Sequence, residues 1–205
     1  MRIHQVRVGP MQNFAYLVAD DAGVAALVDP GFEPERLVDE AKARGLRIAQ
    51  VWATHGHHDH VAGIPRAKAL VGAPVHAHVS ADHAPIDVRH EDGARFRVGD
   101  VEVRVLHTPG HRFDSVCYLV DGTHLLTGDT LFVGECGRVD LPGSNVDDMH
   151  RSLTQTLRAL PDDLVILPGH DYGKTPTSTL GEQKRANYTM QPRTLEEFRR
   201  FMAEP

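Results

Sequence analysis

Four histidines and one aspartate stand close together in this chain, within the run Thr54-His55-Gly56-His57-His58-Asp59-His60. Histidine is the commonest protein metal ligand, because a neutral imidazole offers an accessible nitrogen lone pair. Asp59 adds a hard oxygen that suits a divalent ion or an activated water. A histidine-rich loop or tag would have a similar composition, but this run is internal, follows a strand-like segment and is interrupted in a fixed pattern. The run therefore predicts a metal site.

Three further residues of metal-ligating type each follow a glycine in the second half of the chain: His111, Asp129 and His170. Loops at strand ends hold side chains around a common cleft, and glycine permits the tight backbone that points a ligand inward. Each residue alone is more typical of a turn. Together with the run they supply ligands for two ions, with Asp129 as a bridge: His55, His57 and His111 for one, and Asp59, His60 and His170 for the other.

The elements that must position these side chains follow an α/β pattern. Apolar, β-rich segments bounded by Gly, Pro or Asp predict strands over 3–8, 14–18, 24–28, 48–53, 101–106, 116–120, 125–126 and 165–167. Helices are predicted over 34–41, which opens with a proline, and 146–157. No linker divides the 205 residues, so we expect 1–205 to form a single domain.

The two halves of the chain also resemble one another. Tyr16-Leu17-Val18 precedes an apolar segment that ends at Asp29, and Tyr118-Leu119-Val120 precedes a segment that ends at Asp129. If this is a duplication, the fold is two β-sheets packed face to face with helices outside. Asp129 then lies at the sheet edge beside the histidine run. For Asp29, the mirrored residue, we expect a turn or capping role rather than metal binding.

Composition limits the binding partners and the cellular compartment that we expect. The formal net charge of −6 and the lack of any Lys/Arg cluster longer than a pair argue against nucleic acid. The apolar runs fall far short of the roughly 20 residues that a membrane helix needs. The N-terminus shows no secretory signal and the chain has 2 cysteines, so we expect a cytoplasmic protein. No pattern indicates an oligomeric state.

The ligand pattern resembles the metallo-β-lactamase superfamily, whose signature is Thr-His-x-His-x-Asp-His followed by a histidine, a bridging aspartate and a last histidine. The resemblance extends from the strands before Asp29 to His170 and implies a four-layer αβ/βα sandwich with metals between the loops of the sheets. His58 fills the variable position of the motif and is not expected to be a ligand. The implied ligands are His55, His57, Asp59, His60, His111, Asp129 and His170.

Residues 128–138 are similar to the glyoxalase II and persulfide dioxygenase branch, whose members act on glutathione-linked sulfur compounds. In that branch a basic residue after Cys-Gly and a tyrosine after the last histidine contact glutathione, which implies roles for Arg138 and Tyr172. Arg138-Val139-Asp140 and the segments 178–183 and 196–198 look more like the persulfide dioxygenases. Arg112-Phe113-Asp114 and Asn187-Tyr188 depart from both groups, which favours a related subgroup with its own thioester or sulfur substrate.

The two reactions of this branch call for different metals. For thioester hydrolysis, two Zn²⁺ or Fe ions roughly 3.5–4 Å apart would make hydroxide available near neutral pH, with Asp59 as the catalytic residue that orients it. For persulfide dioxygenation, the resemblance implies one Fe(II) held by His55, His111 and Asp129, with open positions for O₂ and substrate. The complete set of seven ligand positions slightly favours the hydrolase, but the dioxygenases also keep these positions, so the motif leaves both reactions open. The third alternative is a non-catalytic metal-binding protein, although structural zinc sites usually close all four positions with Cys and His.

Overall fold

The computed structural model describes residues 1–83 and 85–203, whose strands form two six-stranded sheets. The first sheet has the order β1-β2-β3-β4-β5-β6, with β1 (Arg2–Val8), β2 (Asn13–Ala19), β3 (Val24–Val28), β4 (Arg47–Trp52), β5 (Val75–His78) and β6 (Val88–His90). The second has the order β12-β11-β10-β9-β8-β7, with β7 (Arg95–Val98), β8 (Val101–His107), β9 (Val116–Val120), β10 (His124–Gly128), β11 (Val165–Pro168) and β12 (Ser178–Thr179).

Helices connect the strands and cover the outer faces of both sheets. They are α1 (Pro34–Ala43), α2 (His58–Val61), α3 (Ile64–Val71), α4 (Val146–Arg151), α5 (Leu180–Ala186) and α6 (Leu195–Ala203). A π-helical turn, Ser152–Leu157, continues α4, so the helix predicted over 146–157 is present with a change in its winding. No helix in the described ranges is long and apolar enough to cross a membrane.

Three separate apolar clusters divide the fold into four layers. Trp52, Tyr118 and Leu126 belong to the cluster between the two sheets. Leu37 and Ile64 pack with the first sheet beneath α1 and α3. The second sheet has its own outer cluster, which includes Leu153 and Phe198 from the helical segments. This is the predicted four-layer αβ/βα sandwich.

The two similar hairpins occupy corresponding places in the two sheets. β2 pairs antiparallel with β3, with Tyr16 opposite Val28, and β9 pairs antiparallel with β10, with Tyr118 opposite Leu126. The next pairing is parallel in both sheets, between β3 and β4 and between β10 and β11. Since β8 also runs parallel to β10, the carboxyl ends of β8, β10 and β11 meet at one edge of their sheet.

The strands that sequence patterns missed are short and polar. β5 alternates valine and alanine with His76 and His78, and β6 has only three residues. In β7 the alternation of Arg95, Phe96 and Arg97 is a two-residue period that would have revealed the strand. The histidines of β5 and β6 take the place of apolar residues because they are buried. Nδ1 of His76 forms a 2.9 Å hydrogen bond with Nε2 of His90, and the His76 ring packs against Phe96 inside the sandwich.

Candidate metal centre

The first three predicted ligands converge at the edge of the sandwich. His55 and His57 lie in the loop between β4 and α2, and His111 lies in the loop after β8. Nδ1 of His57 is 3.1 Å from Nε2 of His55 and 2.8 Å from Nε2 of His111. The three ligand atoms lie within 4.8 Å of one another, so they can approach a single ion.

The second set of three meets beside the first. His60 and Asp59 belong to the short helix α2, and His170 follows the end of β11. Nε2 of His60 is 3.2 Å from Nε2 of His170, and Oδ2 of Asp59 is 3.3 Å from the same His170 nitrogen. These three atoms also lie within 4.8 Å of one another. Two groups of three candidate ligands therefore stand next to each other, and a third group, His55, His60 and Asp129, overlaps both. The assignment of these residues as metal ligands stays a prediction.

Asp129 touches members of both groups. It directly follows Gly128, the last residue of β10, where φ is +47°. Its Oδ2 is 3.5 Å from Nε2 of His111 and 3.3 Å from Nε2 of His170. Such a position is suitable for a carboxylate that bridges two ions.

Outer hydrogen bonds orient four of the imidazoles toward the centre. Nδ1 of His60 contacts the Asp29 carboxylate at 3.0 Å, Nδ1 of His111 contacts the Arg138 carbonyl at 2.9 Å, and Nδ1 of His170 contacts the Met11 carbonyl at 2.9 Å. Nδ1 of His55 contacts the Thr54 hydroxyl. Because the carbonyls and the carboxylate can only accept, each of their partners carries its proton on the outer nitrogen. In a neutral ring, the inner Nε2 then presents a lone pair toward the centre.

The residues in this cluster fit a metal site better than a hydrogen-bond network. Nδ1 of His57 is within about 3 Å of Nε2 of both His55 and His111. This nitrogen carries at most one proton to share between two acceptors, whereas one cation can bind all three nitrogens. Oδ1 of Asp129 is buried and has no hydrogen-bond partner among the residues that the structure describes. Mixed imidazole and carboxylate donors suit Zn²⁺ or Fe²⁺.

The protonation states of the histidines in the cluster also favour a metal site. Burial lowers the pKa of His57 to about 4 and that of His55 well below its usual value, so both rings are neutral near pH 7. Burial also opposes protonation of His170, but hydrogen bonds to Asp129 and Asp59 outweigh it and raise its pKa to about 9. A proton on this ring is a cation held between carboxylates. A divalent ion would compete for that position.

Asp29 has a larger role than the predicted turn. It stands after β3 with φ of +50°, and its carboxylate accepts hydrogen bonds from the backbone nitrogen of Thr54 at 2.8 Å, from the Thr54 hydroxyl at 2.6 Å and from His60. Asp29 thus holds in place both Thr54, at the start of the histidine run, and the predicted ligand His60. Gly128 lies against the same threonine, since a Cβ there would come within 2.6 Å of its Oγ1.

The turn between β1 and β2 was not identified from the sequence. Asn13 begins β2 and is buried, and its Nδ2 donates to Oδ2 of Asp59 at 2.8 Å. The turn is tied to the last ligand loop, because Phe14 N donates to the Gly169 carbonyl and Met11 O accepts from His170. A buried asparagine at the start of a strand is a weak signal, and only the fold brings it to Asp59.

Replacing Asn13 with alanine should lower metal affinity by about 10–100-fold, because Asp59 loses the donor that orients it. Titration of the chelator-treated protein with Zn²⁺ or Fe²⁺ would measure this. Gln155→Ala, which shortens an exposed amide on the π-helical turn, is the matched control. Equal metal affinity of the two variants would show that the Asn13 contact does not orient the site.

Arg138 and Tyr172, the two predicted substrate contacts, both line the cavity of about 350 Å³ above the ligands. Tyr172 stacks on the ring of His170, with centroids 4.6 Å apart. The Arg138 side chain is exposed and makes two hydrogen bonds to Asp140, of 2.9 and 2.8 Å. His58 also lines the cavity but belongs to neither group of three ligands. His107 stacks on His78 instead.

Residues 8–170 match the metallo-beta-lactamase superfamily, and the chain belongs to it. Within this superfamily, the chain resembles the branch that contains glyoxalase II and the persulfide dioxygenases. The chain is 40% identical over 173 residues to a hydroxyacylglutathione hydrolase of Rhodopseudomonas palustris, covering 82% of this chain and 66% of that protein.

Two solved structures extend the comparison. The crystal structure of ETHE1 from Myxococcus xanthus has a TM-score of 0.93 and 32% identity, with 100% of this chain and 92% of that chain covered. The structure of TTHA1623 in a di-iron-bound form has a TM-score of 0.78 and 33% identity, over 90% of this chain and 98% of that chain. The similarity thus includes a protein whose related fold holds two iron ions.

Proposed function

We propose that this protein is a metal-dependent hydrolase of acyl thioesters that binds two Zn or Fe ions. The observation that carries the proposal is the pair of adjacent ligand groups, His55, His57 and His111 on one side and Asp59, His60 and His170 on the other. Asp129 contacts both groups. The similarity to a hydroxyacylglutathione hydrolase supports the reaction class, and the similarity to a structure in a di-iron-bound form supports two metal ions.

The reaction adds water across the thioester. A C–O bond forms, the C–S bond breaks, and the sulfur leaves with the bonding electrons as a thiolate. When bound, two divalent ions polarise the carbonyl and lower the pKa of water toward neutrality. Asp59 lies on the cavity wall, and Asn13 holds one of its oxygens. The other oxygen is the group that we assign to orienting the attacking water. Met11, Phe132 and Leu141 provide apolar lining that limits bulk water.

The decisive experiment measures metal content and turnover on the same sample. Protein purified without added metal, analysed by inductively coupled plasma mass spectrometry, should contain close to two Zn or Fe ions per chain. It should hydrolyse an acyl-glutathione or another acyl thioester, followed by release of free thiol. Thioesters that remain intact with fully loaded protein would overturn the proposal.

Replacing Arg138 with alanine should raise KM several-fold while metal content stays the same, because the side chain lines the cavity but only its backbone carbonyl contacts a ligand, His111. Kinetics with one thioester and metal analysis would test this division. Arg47→Ala, an exposed arginine at the start of β4, is the control. Loss of metal from Arg138→Ala would assign the side chain to the metal centre instead.

Dioxygenation of a glutathione persulfide is the second candidate. It is favoured by the similarity to the ETHE1 structure, which covers 100% of this chain, and by residues 178–183 and 196–198, which resemble the persulfide dioxygenases. It predicts one Fe(II) per chain and O₂ uptake with persulfide. An oxygen electrode trace that stays flat with Fe(II)-loaded protein would remove this candidate.

A further inference from the structure

A second cavity opens directly beside the metal cavity. It has a volume of about 520 Å³ and shares Phe132, Gly137, Arg138 and Tyr172 with the first. We call it the side groove; its remaining wall is formed by Glu135, Cys136, Tyr188, Phe201 and Met202. Because the two cavities share a wall, a substrate whose reactive carbon lies over the ligands can extend into the side groove.

The wall of the side groove is largely aromatic and apolar. Tyr188 packs edge-on against Phe201 with ring centroids 5.5 Å apart, and Phe132 packs in the same way against Tyr172 at 5.4 Å. Tyr188 and Tyr172 are 44% and 51% exposed, so this apolar surface is open to a ligand. Met202 adds a flexible side chain from the last turn of α6, of a kind that adapts to different apolar shapes.

The charges of the groove do not suit an anionic ligand. Among the described residues that line the two cavities, Arg138 is the one lysine or arginine, and the carboxylate of Asp140 pairs with it at both oxygens. Glu135 adds a carboxyl group that is half-buried. Glutathione carries two carboxylates, which would need unpaired cations here.

We propose that the side groove binds an uncharged, apolar group of the substrate, so that the preferred thioesters are aromatic or alkyl compounds rather than simple glutathione conjugates. This inference rests on the proposed thioesterase activity. An aromatic or alkyl group gains from burial against Phe201 and Met202. A glutathione carboxylate loses hydration beside Glu135 and must compete with Asp140 for Arg138. The other nearby cation, Arg193, stacks on the Phe201 ring at 4.2 Å and donates to the Tyr188 carbonyl.

Three thioesters separate the possibilities: the acetyl ester of benzyl mercaptan, S-acetylglutathione and S-phenylacetylglutathione. Each kcat/KM is divided by the rate of the uncatalysed hydrolysis by hydroxide. We expect at least one aromatic thioester to exceed S-acetylglutathione by about tenfold or more. The benzyl ester leads if the groove takes the thiol half, and the phenylacetyl ester leads if it takes the acyl half. S-Acetylglutathione as the best of the three would overturn the inference and leave the thioesterase proposal intact. No hydrolysis of any of them would count against both.

A charge placed in the groove provides a second readout. Met202→Lys should lower the preference for the aromatic thioester at least fivefold, because a cation replaces apolar surface and attracts carboxylates. Lysine is tolerated at the carboxyl end of a helix, and Met202→Gln serves as a neutral variant if the lysine protein does not fold. Leu70→Lys, on an exposed position of α3 in a different cavity, is the matched control. An unchanged preference in both Met202 variants would show that the side groove does not contact substrate.

Discussion

Asp129→Ala should abolish metal binding and thioester hydrolysis together, with activity falling by more than about 100-fold, beyond the loss expected for an outer hydrogen-bond partner. The reason is geometric, because Asp129 is the one carboxylate in the described part of the chain that lies beside His111 and His170 at once, through its Oδ2. Its removal leaves each group of three ligands without the bridge between them. Metal analysis of the purified variant and kinetics at added metal would measure both effects.

The control for this change is Asp163→Ala, which removes an exposed carboxylate before β11. It should keep full metal content and activity. If Asp129→Ala retains two ions per chain and loses only turnover, Asp129 acts on the substrate rather than on the metals. If it retains both, the assignment of the centre to these seven residues is wrong.

The second large effect is on stability. Asp29→Ala should lower the free energy of unfolding of the metal-free protein by about 3 kcal/mol or more, because the Thr54 backbone nitrogen, its hydroxyl and His60 Nδ1 all lose their acceptor. Each unsatisfied buried donor costs roughly 1–3 kcal/mol. Alanine also tolerates the φ of +50° less well than aspartate does. Urea unfolding in the presence of a chelator would measure the change without any contribution from bound metal.

Asp29→Asn is the matched comparison. The amide keeps one acceptor oxygen and tolerates the positive φ, so its loss of stability should be smaller than that of the alanine variant. Both variants should bind metal more weakly, by about 10–100-fold, because His60 loses a carboxylate partner. Equal stability of wild-type and Asp29→Ala would contradict the role of this carboxylate as an anchor of the histidine run.

The layered fold follows from the sequence, and the seven candidate ligands were identified in it, because local signals carry both. The histidine run is contiguous, and the other ligands stand beside glycines at strand ends. The central strands β2, β3, β9 and β10 are rich in apolar residues. Spacing and hydrophobicity alone are enough to identify such residues in a sequence.

The outer hydrogen bonds could not be predicted in the same way. Asn13 meets Asp59 across 46 residues, and the Met11 carbonyl meets His170 across 159 residues. A backbone carbonyl has no sequence signature at all, and an asparagine is more often a turn residue. The short strands β5 and β6 are not predicted from the sequence, because buried histidines replace the apolar residues that normally mark a strand.

The ligands are divided between the two halves of the sandwich. His55, His57, Asp59 and His60 follow β4 of the first sheet, whereas His111, Asp129 and His170 belong to the second. Ions bound by both sets would therefore act as a reversible cross-link between the two sheets. Because they bind the folded chain and not the separated halves, the melting temperature should rise with metal concentration. A metal centre at this place would then stabilise the fold in addition to its part in the proposed reaction.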